Sequence, residues 1–219
     1  SYAAEPSPPN AINEKAIVDA QAVGEAVRRA VKRAGARSRE CAVAVSGDAA
    51  ITKVIQMPRN LRASELEAQV EMQADQYIPF PMEEVSYDFE VIGPSEKDPE
   101  MLDVLLVATR SENVEQRQAA VQAAGLTARI VDVEAFALEN ACRLLTHQMP
   151  DGGMERSIAV VDFGASSTTF SVLRDTKVAY TRDFSFGGQQ LTEEIMRTYG
   201  LSMEEAGRAK KEGGLPANY

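Results

Sequence analysis

The chain has 219 residues, 44% of them hydrophobic, enough for one large or two small cores, and a formal net charge of −10 with a pI near 4.8. That acidity opposes general nucleic-acid binding, which needs clustered lysines and arginines against a phosphate backbone. No apolar run approaches the ~20 residues that span a bilayer, so direct membrane insertion is not expected, and no basic-then-apolar leader suggests export. Cys41 and Cys142 stand far apart, outside any CxxC or Cys/His spacing, which fits a reducing cytoplasm and argues against structural zinc.

Residues 1–9, rich in proline and small side chains, should be extended or loose. A helix begins near Asp19, with Val23, Val27, Ala30, Val31 and Ala34 on one face and Gly35 just past its end. Arg28, Arg29, Lys32 and Arg33 fall in its last turns, where cations complement the helix dipole, and read as a solvated helix end rather than a phosphate patch. Residues 41–45 form a short buried strand, Ser46-Gly47-Asp48 a turn, and 51–57 a second strand stopped by Pro58. Ser64 and Glu67 have capping-box spacing for a helix whose apolar stripe is Leu66, Val70, Ala74 and Tyr77, and Ile78-Pro79-Phe80-Pro81 ends it. Residues 85–92 and 102–109 read as an antiparallel hairpin, 111–124 as a helix closed by Gly125, 127–133 as a strand and 135–145 as a helix. Residues 51–125 thus make an α+β unit of their own, interrupting an α/β domain built from the elements on either side. Residues 147–155 are a Pro/Gly-containing linker.

After the linker, Ile158, Val160 and Val161 form a buried run that stops at Asp162, and the β-branched and aromatic run 169–173 is again a strand. Between them Gly164, Ala165, Ser166 and Ser167 have little or no side chain, so backbone N–H groups and hydroxyls can converge on an anion. Asp162 cannot bind that anion itself, but it can hold a hydrated Mg²⁺ that bridges to phosphates. A structural hairpin with Ser/Thr-assisted turn bonds is the alternative. A third strand, 177–185, leads through Phe186-Gly187-Gly188-Gln189-Gln190-Leu191-Thr192 into a helix at 189–199; a second helix at 202–211 opens with a Ser202/Glu205 capping box. The paired glycines also read as a plain strand-to-helix turn. The lone histidine, His147, is followed by Gln148 and Met149 and reads as a surface linker residue. It supplies neither the catalytic loop that a protein kinase would need beside Asp162-Phe163-Gly164 nor a Ser-His-Asp triad, for which a GxSxG elbow is missing too.

The order strand, turn, strand, turn, strand, GGxxLT, helix resembles the opening of the second domain of actin-like ATPases. Over essentially the whole chain the sequence is similar to the PilM family of type IV pilus assembly proteins, relatives of FtsA. The resemblance implies an α/β, actin-like (ribonuclease H-like) ATPase fold with an FtsA-type 1C α+β insertion. Residues 1–50 would be the first part of a 1A-like domain, 51–125 the 1C-like insertion, 126–150 the 1A-like return, and 156–219 an incomplete 2A/2B-like nucleotide-binding domain. It further implies that Asp162 holds the Mg²⁺ shell through water, that Gly164, Ala165, Ser166, Ser167 and Thr168 wrap the β- and γ-phosphates, and that Gly187 and Gly188 let backbone pass close to the nucleotide. Related proteins contact the nucleoside with Glu-x-x-Lys; here Lys210 is kept, Gly207 replaces the glutamate, and Lys210 reads alternatively as a solvated helix cation. The family's first phosphate loop and adenine loop would lie outside residues 1–219, and with Ser1 in place of an initial Met the chain reads as a fragment.

In function, the resemblance implies a cytoplasmic ATP- and Mg-binding protein with at most slow ATPase activity and no assigned catalytic residue. It would sit at the inner membrane through protein contacts, bind the cytoplasmic tail of a PilN-like inner-membrane protein in a groove beside 1C, and link it to the pilus motor and twitching motility. Other pilus-machine proteins and self-association are further expected contacts. The expected groove walls are the strand 51–57 and the helix 64–77, facing the strand 41–45 and offering an edge and pockets to an extended tail; Ile78, Pro79 and Phe80 have a second reading as a helix stop packed on its own hairpin. Two other readings stay open: a nucleotide-independent scaffold with an idle phosphate loop, and a small-molecule kinase of the same superfamily, for which no sequence feature nominates a base.

Overall fold

Residues 1–13 and 15–213 are described by a computed structural model, in which the chain divides into two compact units, Ser1–Ala137 and a second from Leu138 on. The first opens with a two-residue hairpin, β1 (Ile12–Asn13) against β2 (Ala16–Ile17), which the sequence pattern did not announce. Helix α1 (Ala20–Ala34) starts as expected: Asp19 accepts a 2.9 Å hydrogen bond from the Ala22 amide, and Gly35 ends the helix at φ 66°, a left-handed conformation that costs glycine little. The cationic end of α1 is solvated as expected, with Arg28, Arg29, Lys32 and Arg33 all exposed, and Glu5 reaches back to it. Its carboxylate accepts from Arg33 Nη1 at 2.5 Å and Arg29 Nε at 3.4 Å, and Arg33 also donates to the Ala4 carbonyl.

Strand β3 (Glu40–Val45) runs parallel to a distant strand, and the chain between them builds a separate sheet. That sheet has β4 (Ala50–Pro58), β5 (Val85–Pro94) and β6 (Met101–Arg110) in antiparallel order β4-β6-β5, covered on one face by α2 (Ala63–Tyr77). The period of two along each strand sends Ile55, Met57, Val104, Leu106 and Ala108 to the α2 side, where they meet Val70, Ala74 and Ile78. Met57, Val70, Ala74 and Val104 lose all exposure; each such apolar side chain stabilises the fold by about 1.5–3 kcal/mol, alanine by less. The cap of α2 is not the expected Ser64/Glu67 pair: the helix begins one residue before Ser64, and Glu65 accepts the Arg62 amide at 2.9 Å. Tyr77 is exposed, and Ile78 takes the buried place at the helix end. Phe80 packs on this core with the Arg110 guanidinium 5.2 Å from its ring centre.

Helix α3 (Ser111–Ala123) returns the chain to β7 (Thr127–Val133), which pairs with β3 in parallel from Glu40 opposite Thr127 to Val45 opposite Val133. α3 lies on α1 so closely that a Cβ on Gly24 would stand 2.5 Å from Ala123 Cβ, so only glycine allows the crossing. Val27 and Val31 of α1 join Val121, Ala124 and Leu126 in this second core. Arg117 of α3 is buried, with Nε 2.5 Å from the Ala44 carbonyl and Nη1 2.9 Å from that of Asn113; burial pushes its pKa down, against the pull of Glu134 and Asp48.

The boundary between the units falls within α4 (Glu134–Leu144). In the second unit β8 (Ser157–Phe163), β9 (Thr168–Arg174) and β10 (Lys177–Phe184) form an antiparallel meander, order β10-β9-β8. A two-residue turn with Asp175 and Thr176 both at positive φ joins β9 to β10, the geometry that matches strand twist. Glu139 fastens α4 to the meander by accepting the Val178 amide at 2.7 Å. Helices α5 (Gly188–Tyr199) and α6 (Met203–Glu212) follow, packed together with Thr192, Ile195 and Ala206 buried, and the Ser202/Glu205 box forms as read.

Candidate phosphate-binding site

Strand β8 ends by presenting Asp162, exposed, one residue before the turn that leads into β9. The turn closes through the Gly164 amide and the Ser167 carbonyl at 2.9 Å; a Cβ on Gly164 would lie 2.8 Å from that same oxygen, so the tight reversal needs glycine. Among the described residues the amides of Ala165, Ser166 and Ser167 have no backbone acceptor, and Ala165 and Ser166 are exposed. This leaves a short row of open N–H donors beside a carboxylate.

The second expected element meets the first directly. The Gly188 amide donates to the Gly164 carbonyl at 2.9 Å, and the Gln189 amide to the Ala165 carbonyl at 2.8 Å. Gly187 donates to the Gln190 side chain, and a Cβ placed on it would stand 2.5 Å from the Ala165 carbonyl oxygen. The paired glycines therefore let two loops of the protein touch each other. Thr168 is buried, its hydroxyl donating 2.7 Å to the Phe186 carbonyl, so that side chain joins the loops and turns away from any anion. Lys210 of α6 arrives at the same place: Nζ lies 2.7 Å from the Gly188 carbonyl and 2.8 Å from Thr192 Oγ1. Gly207, one turn earlier, meets nothing that a Cβ would touch.

Sequence reading did not single out Asp183. Asp162 stands opposite Thr169 on β9, and Thr169 opposite Asp183 on β10, so the three side chains share one sheet face, and the Thr169 hydroxyl donates to Asp183. Only strand register could have revealed this row.

The donor set fits a magnesium-bound polyphosphate. Open amides suit phosphate oxygens, and one exposed carboxylate suits a hydrated divalent cation that keeps its remaining ligands from water and phosphate. Among the described residues no group of three or more His, Cys, Asp or Glu side chains could hold a metal alone, so a cation here would arrive with its phosphates.

A separate concavity lies in the first unit. The face of the β4-β6-β5 sheet away from α2 carries Leu105 and Val107, which with Val131, Val133 and Phe136 line a cleft of about 200 Å³ rimmed by Asp88, Glu90 and Asp132. The expected walls β4 and α2 line a concavity of their own, of about 560 Å³, through Val54, Gln56, Gln73 and Tyr77, whereas this smaller cleft opens between the opposite sheet face and β7. The β7 edge away from β3 has no strand partner among the described residues.

A family model described as type IV pilus assembly protein PilM matches residues 1–219. The chain belongs to the PilM family. Its fold matches a chain of the PilM-PilN type IV pilus biogenesis complex with 30% identity and a TM-score of 0.76, over 94% of this chain and 60% of that one. The present chain thus spans about 60% of the length of that PilM-PilN component. More distant are the ethanolamine utilization protein EutJ from Carboxydothermus hydrogenoformans (16% identity, TM-score 0.49, 92% and 50% covered) and MreB5 of Spiroplasma citri bound to ADP (10%, 0.43, 92% and 43%). The α/β, actin-like class expected from the sequence stands with PilM membership.

Proposed function

We propose that this PilM-family chain carries half of an ATP clamp and the docking cleft for a pilus partner. The observation that supports the first part is the pairing of the Gly164–Ala165 backbone with the Gly188–Gln189 amides, which holds the open amides of 165–167 beside Asp162. Asp162 takes the magnesium shell through water, the turn amides take the β- and γ-phosphate oxygens, and the glycines at 187 and 188 keep the backbone close. Bound magnesium would neutralise charge developing on the transferred phosphoryl group. In this reading turnover is slow at most. Isothermal titration of the full-length protein with Mg-ATP tests this: binding by the wild type that is lost in Asp162→Ala is expected, and equal binding by the variant, or none by the wild type, overturns it.

The second part concerns the partner. The matched relative is a PilM-PilN complex, and a PilN-like cytoplasmic tail suits the apolar cleft between Leu105, Val107, Val131, Val133 and Phe136, with the open β7 edge offering backbone pairing. No helix among the described residues is long and apolar enough to cross a membrane, so inner-membrane residence and the link to the motor would rest on such contacts. In this reading 1–50 and 126–150 form a 1A-like domain joined by the β3/β7 pair, 51–125 the 1C-like insertion, and 156–219 the 2A/2B-like part. Leu105→Asp should abolish binding of the tail peptide in fluorescence anisotropy while leaving ATP binding intact; unchanged peptide binding would place the cleft elsewhere.

One observation favours an idle scaffold as the second reading: Gly207 stands where a glutamate would reach the nucleoside, and Lys210 is turned to protein oxygens. Peptide pull-down with and without Mg-ATP separates the two, since an adaptor responds to nucleotide and a scaffold does not.

A further inference from the structure

Lys210 is the one expected nucleotide ligand that reaches its neighbours through its own charge rather than through backbone. Its ammonium group bonds the Gly188 carbonyl at 2.7 Å and Thr192 Oγ1 at 2.8 Å, and the Thr192 hydroxyl donates in turn to the Gly188 carbonyl at 2.9 Å. Thr192 is buried and Lys210 half-buried, which shields the arrangement from competing water. The acceptors stand at the start of α5 and one turn on, and the helix start is where the Gly188 and Gln189 amides hold the Gly164 and Ala165 carbonyls. A cation at a helix N-terminus opposes the dipole, so its place there depends on those two acceptors. A Cβ at Gly188 would come within 3.2 Å of Nζ, so the ammonium group would have to shift by a few tenths of an ångström to make room for alanine.

We propose that Lys210 is a positioning residue: it bridges α6 to the first turn of α5 and thereby holds that turn against the Gly164–Thr168 loop, setting affinity for the polyphosphate rather than for the nucleoside. The polyphosphate half of this inference rests on the ATP-binding reading above; the bridge itself does not.

Two measurements on the full-length protein separate those halves. The first is amide hydrogen exchange without nucleotide, in wild type, Lys210→Met and Gly188→Ala. Both variants should exchange faster at the amides of residues 188–189 and at the 164–167 turn, while β4–β6 stays unchanged; wild-type protection in both removes the bridge. The second is titration with Mg-ATP and with Mg-tripolyphosphate, which has no ribose or base. Lys210→Met should weaken both by the same factor, about tenfold for loss of a charged hydrogen bond. Gly188→Ala in the Lys210→Met background should add nothing. Weakened ATP binding with unchanged tripolyphosphate binding returns Lys210 to the nucleoside and overturns the proposal. No binding of either ligand to the wild type overturns the ATP-binding reading and with it the polyphosphate half, while the exchange data still decide the bridge.

Discussion

Among the described residues two antiparallel three-stranded sheets are held by different means. The β4-β6-β5 sheet closes a core with α2 in which Met57, Val70 and Val104 lose all exposure, whereas the β10-β9-β8 meander leaves Val161, Tyr180 and Phe184 about half exposed and Phe163 72% exposed on one face. What is fixed in the meander is its loop end, through backbone amides, the Thr168 hydroxyl and Lys210. Dense packing tolerates no lost volume but sets no particular atom in place to better than a side chain's give. A network of hydrogen bonds places atoms tightly and contributes little net stability per bond. Damage to the first sheet should therefore appear as unfolding, and damage to the second as lost binding.

The largest effect that would test this contrast is Met57→Ala, expected to cost about 2–5 kcal/mol in urea unfolding, with its loss spread over the α2 sheet. A cost below that range would break the picture of a closed core. Next comes Gly187→Val. Its Cβ would overlap the Ala165 carbonyl at 2.5 Å, so Mg-ATP binding should vanish in calorimetry while stability falls by only about 1–3 kcal/mol. Ser202→Ala removes the hydroxyl that caps α6 and should lower stability by about 1 kcal/mol in the same urea measurement. Phe163→Ser, on the open face, should change stability by less than about 0.5 kcal/mol.

The smallest effect is a matter of pH. The Arg33 guanidinium, with Arg29 beside it, holds the Glu5 carboxyl below the usual glutamate range. A lowered folded-state pKa means that the attachment of the N-terminal segment to α1 is fully present above the ordinary glutamate pKa and is lost as pH falls through the lowered value. Carboxyl NMR should show Glu5 titrating below a reference glutamate, and Arg33→Gln should move it back up; an unmoved resonance would show that Arg33 is not the cause.

Most elements were legible because their signals are local. Asp19 and Gly35 bracket α1, Gly125 follows α3, and the apolar run in 102–109 marks β6 within a residue or two. The glycine turns at 164 and 187 could be named from residue type, yet their mutual contact could not, since nothing in sequence spacing says that the Gly188 amide finds the Gly164 carbonyl. The α2 cap was misread because Ser64/Glu67 and Arg62/Glu65 offer competing starts, and only the carboxylate-to-amide half of a box is formed. The walls β4 and α2 could be named from sequence, yet the cleft on the opposite sheet face against β7 could not, since which face of a sheet a helix covers is a tertiary choice. Glu5 lies in a proline-rich stretch with no periodicity, and its bonds to Arg29 and Arg33 cross two dozen residues.

The parallel pairing of β3 with β7 has a kinetic consequence. Glu40 and Thr127 are neighbours in the sheet, yet every residue of β4, α2, β5, β6 and α3 lies between them in the chain. Closing a flexible loop of that length would cost about 4 kcal/mol of chain entropy before any parallel contact repays it. The intervening sheet and helices remove most of that cost by folding through contacts nearer in sequence and leaving their two ends side by side. The pair β3/β7 should therefore form late and open early, its zipping rate limited by the sheet inserted between its strands.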